Sequence, residues 1–308
     1  MRLIFALLCC CYLNTVVGQH IIPLYPEGIP CANDLEDKSV QREDIGRMIT
    51  EVHTPLLEYH APVPQIATGG AVMIIPGGGY WIEAWGHEGE DIAHRLLLEG
   101  LHVFILQHRL PGKEAAPCKH HVALDDARRG VQTIRLLADS LQITPDQIAV
   151  LGFSAGGHLA ASAAIHPLDG DTTATNAVER FSSRPDYSLP IYPVLIMEDS
   201  PAAHQGSIKN LLGEKPWDAG LLAYYNLPSQ VHEKVPPTFL VHAGNDGAVP
   251  VENSLRYYTA LQQKGVPAAL HVYPTGGHGF GSGKQLDSQV SHWLDDAVCW
   301  LRDYGMVR

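Results

Sequence analysis

From Gly69 onward, short apolar runs alternate with longer segments whose apolar residues recur at helical spacing. Continuous apolar runs are typical of strands that are buried on both faces. Strands and helices that alternate in this way form a mostly parallel sheet with helices on both faces, which predicts an α/β fold. The expected strands are Ala71–Ile75, Leu101–Leu106, Ile148–Phe153, Pro190–Met197, Thr238–His242 and Ala269–Tyr273. The expected helices are Glu88–Glu99, Val122–Leu141, Ala155–Ile165, Val251–Lys264 and Gln289–Tyr304, with shorter pieces at Ile208–Leu212 and Ala219–Tyr225.

Residues 1–18 have the features of a signal peptide. Arg2 precedes the apolar run Leu3–Leu13, and the small or neutral residues Val16–Gly18 follow it. A membrane anchor is the alternative, but the apolar run is shorter than the roughly 20 residues that cross a bilayer. The cysteines at Cys9–Cys11 leave lipidation as a lesser alternative. The sequence therefore predicts a secreted or periplasmic protein.

The mature chain is predicted to form one domain behind an extended arm. Residues 19–64 are rich in proline, charge and short hydrophobic pieces, and they are expected to form an arm or edge strand, with Glu51–Tyr59 as the strand. No repeat or Pro/Ser-rich linker divides residues 65–308, so these residues are assigned to a single domain.

Composition excludes several classes of protein. The 33 acidic and 21 basic residues give a formal net charge of −12, which argues against binding to nucleic acid or to an anionic membrane. The 17 histidines raise the possibility of a metal site. However, His87 and His94 lack the spacing of known metal motifs, so neither a metal nor another cofactor is predicted.

Three cysteines follow the predicted signal peptide. Cys31, Cys118 and Cys299 allow at most one disulfide within the chain. They lie far apart and have no ligand-like spacing, so we expect buried or incidental thiols.

The strongest chemical signal is the sequence Gly152–Gly156, which fits G-x-S-x-G with Ser154 at its centre. An apolar strand precedes it and an Ala-rich helix follows it. The glycines permit a sharp turn that presents the serine oxygen above the sheet, and the helix N-terminus favours developing negative charge. This context predicts that Ser154 is a nucleophile rather than an ordinary turn serine.

A serine nucleophile needs a base and an acid that orients it. His278 and Asp246 each follow a predicted strand, at the sheet edge where parallel-sheet enzymes collect their site residues. Asp199 also follows a strand and is the rival acid. The chain order Ser, Asp, His is the order found in α/β-hydrolases. Asp199 lies one strand earlier than Asp246, and we favour Asp246.

A glycine-rich segment, Pro76–Tyr80, follows the first strand of the alternating region. Glycines let backbone N–H groups approach a substrate oxygen without obstruction by Cβ. We therefore predict an oxyanion hole formed by the N–H groups of Gly78, Gly79 and Ala155. A flexible tight turn is the alternative.

These motifs resemble the secreted serine esterase branch of the α/β-hydrolase superfamily, which includes acetylxylan and feruloyl esterases and is similar to dienelactone hydrolase-like and lipase-like proteins. The resemblance covers roughly Ile22–Leu301. Two positions depart from it: Pro76 stands where related esterases carry His, and Asn245 stands where an acidic residue often precedes the catalytic Asp. The segments that carry the resemblance are Pro76–Tyr80, Gly152–Leu159, Ser207–Gly213, Pro236–His242 and Gly276–Phe280.

The resemblance implies an esterase that removes acetyl or feruloyl groups from plant polysaccharides such as xylan, through a Ser-His-Asp triad and an acyl-enzyme. General short-chain carboxylesterase or lipase-like activity and prolyl-peptidase-like activity are the alternatives, and an inactive binding module is a third. Tyr80, Trp81 and Trp85 are predicted to line the substrate pocket, with core packing as the alternative for each. His158 is predicted to be a packed helix histidine.

Overall fold

The computed structural model describes residues 20–32, 36–42, 46–112 and 118–308. The predicted signal peptide lies outside these residues. The strands are β1 (His20–Pro23), β2 (Lys38–Arg42), β3 (Gly46–Glu51), β4 (Leu56–His60), β5 (Ala71–Ile75), β6 (His102–Gln107), β7 (Ile148–Phe153), β8 (Tyr187–Ile191), β9 (Thr238–Ala243) and β10 (Ala268–Tyr273). The α-helices are α1 (Asp91–Leu97), α2 (Val122–Leu141), α3 (Ser154–Ile165), α4 (Gln205–Leu212), α5 (Ala219–Tyr225), α6 (Glu252–Gln263) and α7 (Trp293–Asp303). A π-helical turn, Trp85–Glu90, precedes α1, and short 3₁₀ turns occur at Val178–Arg180, Leu227–Ser229 and Gln289–His292.

Among the described residues, eight strands form one sheet in the order β1-β4-β6-β5-β7-β8-β9-β10. The pairs β1–β4 and β4–β6 are antiparallel, and the pairs from β6 to β10 are parallel. The predicted α/β class with a mostly parallel sheet is therefore confirmed. Strands β7, β8, β9 and β10 lie side by side, so their carboxyl ends meet at one edge.

The central strands are buried on both faces because helices cover each side. In β5, Met73 packs with residues of α2 and α3, whereas Val72 and Ile74 pack on the opposite face with residues of α1 and α7. This two-residue alternation follows from the pleat of the strand. All five residues of β5 are apolar, as a strand that contributes to two core layers requires.

Two predicted strands are placed differently in the structure. The predicted strand Glu51–Tyr59 is confirmed only in part. Leu56–Tyr59 belong to β4, but β3 ends at Glu51 and the residues between the two strands belong to no strand. Pro55 lies in the break between them and has no N–H to donate to a sheet. β4 is not an edge strand, since it pairs with both β1 and β6.

The predicted strand Pro190–Met197 has the wrong bounds, because β8 spans Tyr187–Ile191 and shares only Pro190 and Ile191 with it. The next residue, Tyr192, has a φ of 37°, a left-handed conformation that an extended strand does not allow. The chain therefore turns at Tyr192 and leaves the sheet.

The expectation of incidental thiols is wrong for two of the three cysteines. Cys31 and Cys118 form a disulfide across a sequence separation of 87 residues, with their Cα atoms 6.2 Å apart. Cys299 is a free, exposed thiol on α7. The disulfide ties the N-terminal segment to the chain just before α2.

Replacing Cys31 and Cys118 with serine is expected to lower the free energy of unfolding by about 2–4 kcal/mol, because the disulfide restricts the unfolded chain across a long loop. Urea unfolding of the oxidised protein and of the double variant measures the difference. Cys299→Ser is the matched control and should unfold at the same urea concentration as the parent. Equal stability of the double variant and the parent would contradict the expectation.

Within the described residues, no helix combines the length and the apolar character that a membrane span requires.

Candidate active site

Ser154 lies at the junction of β7 and α3 and has a φ of 51°. The turn around it is so tight that a side chain on either flanking glycine of the motif would collide with backbone. A Cβ on Gly152 would lie 2.2 Å from the carbonyl oxygen of Gly156, and a Cβ on Gly156 would lie 2.3 Å from that of Ile75. The local sequence therefore builds the strained strand-to-helix turn that G-x-S-x-G predicts.

The structure brings Ser154, His278 and Asp246 together. The Ser154 Oγ lies 2.9 Å from Nε2 of His278, and Nδ1 of the same ring lies 2.7 Å from Oδ2 of Asp246. Ser154 follows β7, Asp246 follows β9 and His278 follows β10, all at the same edge of the sheet. The histidine can therefore accept a proton from the serine at one nitrogen while the carboxylate holds its other nitrogen.

Several hydrogen-bond donors surround the carboxylate of Asp246. Its Oδ1 accepts hydrogen bonds from the backbone N–H groups of Ala248 (2.9 Å) and Val249 (2.8 Å). Nε2 of His242 lies 3.4 Å from its Oδ2. Burial alone would raise the pKa of Asp246. Hydrogen bonds from the His242 and His278 side chains and from the Val249 backbone outweigh burial and lower this pKa below its usual range. The group is therefore a carboxylate at neutral pH and can accept a hydrogen bond from Nδ1 of His278.

The rival acid, Asp199, does not approach this group. Its side chain is largely exposed and forms an ion pair with Lys215, whose Nζ lies 2.8 Å away.

The glycine-rich segment lies directly against the serine. A Cβ on Gly77 would lie 3.0 Å from the Cβ of Ser154. Among the described residues, the backbone N–H groups of Gly78 and Gly79 have no hydrogen-bond partner, and Ala155 occupies the first turn of α3 beside the serine. The carbonyl oxygen of Gly79 accepts a hydrogen bond from Nδ2 of Asn210 at 2.8 Å, so helix α4 supports the loop from outside. The arrangement leaves donors free for an oxyanion.

Two residues at the site were not predicted as part of it. The buried carboxylate of Glu88 accepts hydrogen bonds from the Gly77 N–H (2.7 Å) and from the Tyr192 hydroxyl (2.8 Å). The sequence predicts Glu88 only as the first residue of the helix Glu88–Glu99, and no spacing links it to Tyr192. Tyr192 lies inside the predicted strand Pro190–Met197, so the sequence did not predict the turn that the structure shows there.

The prediction that Tyr80, Trp81 and Trp85 line the substrate pocket is corrected for two of these residues. Tyr80 and Trp85 are buried, at 2% and 0% exposure, and both belong to the hydrophobic core. The Tyr80 hydroxyl lies 2.6 Å from Nδ1 of His158, which confirms that His158 is a packed helix histidine. Trp81 is 47% exposed beside the glycine-rich loop, so a substrate contact is open to this ring alone of the three.

A family model for BD-FAE matches residues 59–261, a range that contains Ser154 and Asp246. The chain belongs to the BD-FAE family. Its similarity to curated proteins includes the acetylxylan esterase of Xylanibacter ruminicola, at 30% identity over 75% of this chain and 46% of the relative. It also includes endo-1,4-beta-xylanase B of Butyrivibrio fibrisolvens, at 35% identity over 68% of this chain and 32% of the relative. This BD-FAE chain thus spans less than half the length of these two curated relatives.

Among solved structures, this BD-FAE chain is similar to an acetyl ester-xyloside bifunctional hydrolase from Caldicellulosiruptor lactoaceticus. The TM-score is 0.84 and the identity 33%, over 96% of this chain and 100% of the other. The likeness extends over nearly all of both chains, and together with the sheet order it confirms the predicted α/β-hydrolase fold.

Proposed function

We propose that the chain is a secreted serine esterase that removes acyl groups from plant polysaccharides such as xylan. The observation that carries the proposal is the continuous set of hydrogen bonds from Ser154 through His278 to Asp246, beside a glycine-rich loop with free N–H groups. This arrangement contains a nucleophile, a base, an orienting acid and oxyanion donors, which together are sufficient for ester hydrolysis.

In the proposed reaction, the Ser154 oxygen attacks the ester carbonyl while Nε2 of His278 takes the serine proton. The N–H groups of Gly78, Gly79 and Ala155 bind the oxyanion of the tetrahedral intermediate. The intermediate collapses as His278 gives the proton to the departing sugar oxygen, which leaves an acyl-serine. Water then attacks the acyl carbon with the same histidine as base, and the acid and free serine are released.

Asp246 has two roles in this scheme. Its bond to Nδ1 keeps the proton on that nitrogen and leaves Nε2 as the acceptor, and its negative charge stabilises the imidazolium formed during attack.

The names of the relatives support a carbohydrate ester as the substrate, since two of them carry acetylxylan or acetyl ester-xyloside in their names and a third is a xylanase. Acetyl is therefore the first acyl group to test, and feruloyl is the second. Trp81 follows the glycine-rich loop and is 47% exposed, so its ring offers an apolar surface for a sugar face. The net charge of −12 fits a neutral or weakly acidic glycan.

The proposed location and organisation follow from the N-terminal segment. We propose residues 1–18 as a signal peptide, 19–64 as an N-terminal arm whose strands β1 and β4 join the central sheet, and 65–308 as the catalytic domain. The disulfide between Cys31 and Cys118 supports export, because disulfides persist in oxidising compartments and are rare in the cytosol.

A substrate panel tests the proposal. The purified chain is assayed on acetylated xylan, methyl ferulate, a short-chain nitrophenyl ester, a long-chain triglyceride and a proline-containing peptide. We expect release of acetate from acetylated xylan to have the highest kcat/KM, with Ser154→Ala as the background control. A higher rate on triglyceride or peptide would contradict the carbohydrate assignment. Activity on the nitrophenyl ester alone would favour a general short-chain carboxylesterase.

A further inference from the structure

The proposed reaction depends on two loops that share no backbone element. One is the oxyanion loop, Pro76–Tyr80, and the other is the histidine loop, Gly276–Gly283. Both are rich in glycine, and Pro76 has neither an N–H nor a polar side chain with which to hold its loop. Contacts from other parts of the chain must therefore set the distance between the oxyanion donors and Nε2 of His278.

On the oxyanion side, a carboxylate holds the loop in addition to the hydrogen bond from Asn210 to Gly79. Oε2 of Glu88 accepts a hydrogen bond from the Gly77 N–H at 2.7 Å. Glu88 lies in the π-helical turn after β5, and its side chain is only 4% exposed. With Gly77 held in this way, the next two residues, Gly78 and Gly79, keep their N–H groups free.

On the histidine side, the phenol of Tyr192 holds the loop. The Tyr192 hydroxyl accepts a hydrogen bond from the Gly281 N–H at 3.1 Å. The Tyr192 ring also packs edge-on against the ring of His278, with centroids 5.2 Å apart. Trp293 supports the same loop, since its Nε1 donates to the Gly281 carbonyl oxygen at 2.9 Å.

One hydrogen bond connects the residue that holds the oxyanion loop, Glu88, to the residue that holds the histidine loop, Tyr192. The Tyr192 hydroxyl donates to Oε1 of Glu88 at 2.8 Å, and both groups are buried. Nε2 of His87 lies 3.6 Å from the same carboxylate oxygen. Burial, and then the negative charge of Glu88, raises the pKa of the Tyr192 phenol well above its usual value, so the hydroxyl keeps the proton that it donates.

We propose that Glu88 and Tyr192 are positioning residues that couple the oxyanion loop to the histidine loop and so fix the relative placement of the oxyanion donors and His278. The proposal rests on the proposed serine esterase function. A carboxylate suits the role because it is acceptor-only with two oxygens, so one side chain takes a donor from each side. Bonds to a charged acceptor are also shorter and stronger than neutral ones.

The position of the pair argues for a role in the reaction. A buried charged group is costly to desolvate, and apolar side chains of similar volume often serve stability as well. Here the buried carboxylate and hydroxyl join the two loops of the site and lie between them. Displacing a reacting group by about 1 Å can cost roughly 100-fold in rate, so small changes in either loop have large effects.

Tyr192→Phe is the decisive variant, because it removes one oxygen and keeps the ring that packs on His278. The matched control is Tyr257→Phe, since Tyr257 is also fully buried and, within the described part of the chain, its hydroxyl has no hydrogen-bond partner. Nitrophenyl acetate turnover gives kcat and KM. Titration with a fluorophosphonate counts the reactive Ser154 groups, so that kcat refers to folded sites only.

We expect Tyr192→Phe to lower kcat per titrated site by about 10- to 100-fold, with KM within about twofold. The affinity for phenylboronic acid, which forms a tetrahedral adduct on the serine, should fall by a similar factor. Tyr257→Phe should match the parent in all three measurements. A purely structural role of Tyr192 would instead lower the titrated fraction and leave kcat per site unchanged, which would overturn the proposal.

Substitutions at Glu88 provide a second measurement. Glu88→Ala removes both acceptors, whereas Glu88→Gln can still accept from Gly77 and can donate to the Tyr192 oxygen. We expect the alanine variant to lose as much kcat per site as Tyr192→Phe, and the glutamine variant to recover most of it. Equal loss in the two Glu88 variants would contradict the coupling. These readouts use a simple ester, so failure on polysaccharide would reject the proposed substrate and leave this test intact.

Discussion

Ser154→Ala is expected to lower kcat on acetylated xylan and on nitrophenyl acetate by about 10⁴- to 10⁶-fold. The Ser154 oxygen is the atom that the proposed reaction joins to the acyl group, and it lies 2.9 Å from the base that would activate it. Without this oxygen, only the oxyanion donors and substrate binding remain to assist attack by water. Initial rates at saturating substrate, compared with the parent at equal protein concentration, measure the loss.

The control for this variant lies in the same helix. Ser162 is fully buried in α3, and its Oγ has no partner among the described residues. Ser162→Ala therefore removes an equivalent hydroxyl without touching the site, and its kcat should stay close to that of the parent. Circular dichroism should show that both variants are folded. Turnover by Ser154→Ala within tenfold of the parent would reject the serine mechanism.

The placement of Ser154, Asp246 and His278 was predictable because it depends on local signals. Ser154 directly follows an apolar run that predicts a strand, and Asp246 and His278 each lie in the loop that follows such a run. The carboxyl ends of neighbouring parallel strands meet at one edge of the sheet. The sequence therefore indicated which residues meet without fixing the order of the strands. Asp199 also follows a predicted strand, one strand earlier than Asp246, and the structure places it in a surface ion pair.

The pairings that were missed join segments far apart in the sequence. Glu88 and Tyr192 are 104 residues apart, and Cys31 and Cys118 are 87 residues apart. Neither pair carries a local spacing signal, because contact depends on the sheet order and on how each loop leaves its strand. The turn at Tyr192, by contrast, carries a local signal that the predicted strand Pro190–Met197 overlooks, since Pro193 follows Tyr192 and has no N–H to donate to a sheet.

The aromatic residues after the glycine-rich loop show a second limit. A turn exposes some of its side chains and buries others, and residue type does not decide between the two. Trp85 lies in a π-helical turn and enters the core, whereas Trp81, four positions earlier, stays largely exposed. The backbone conformation of the turn decides which of these side chains is buried in the core and which is exposed to a substrate.

Asp246→Asn is expected to lower kcat by about 10⁴-fold while leaving the site geometry nearly intact. The amide is nearly the same size as the carboxylate, but it is neutral and has an N–H₂ group in place of one acceptor oxygen. If its N–H₂ group faces Nδ1 of His278, it favours the tautomer with the proton on Nε2, which cannot accept the serine proton. If its oxygen faces Nδ1, the bond lacks the negative charge. Initial rates on nitrophenyl acetate measure the effect, and Asp199→Asn, at the rival acid, should keep the rate of the parent.

The same variant tests the electrostatic environment through stability. Because the folded-state pKa of Asp246 is lowered, its contribution to stability is fully present above the unfolded-state pKa and is lost as pH falls through the folded value. The parent should therefore be more stable than Asp246→Asn at neutral pH, and the difference should shrink in strong acid. Urea unfolding at several pH values measures this difference. Equal stability at neutral pH would contradict a lowered pKa, whereas an unchanged kcat would instead reject Asp246 as the acid that orients His278.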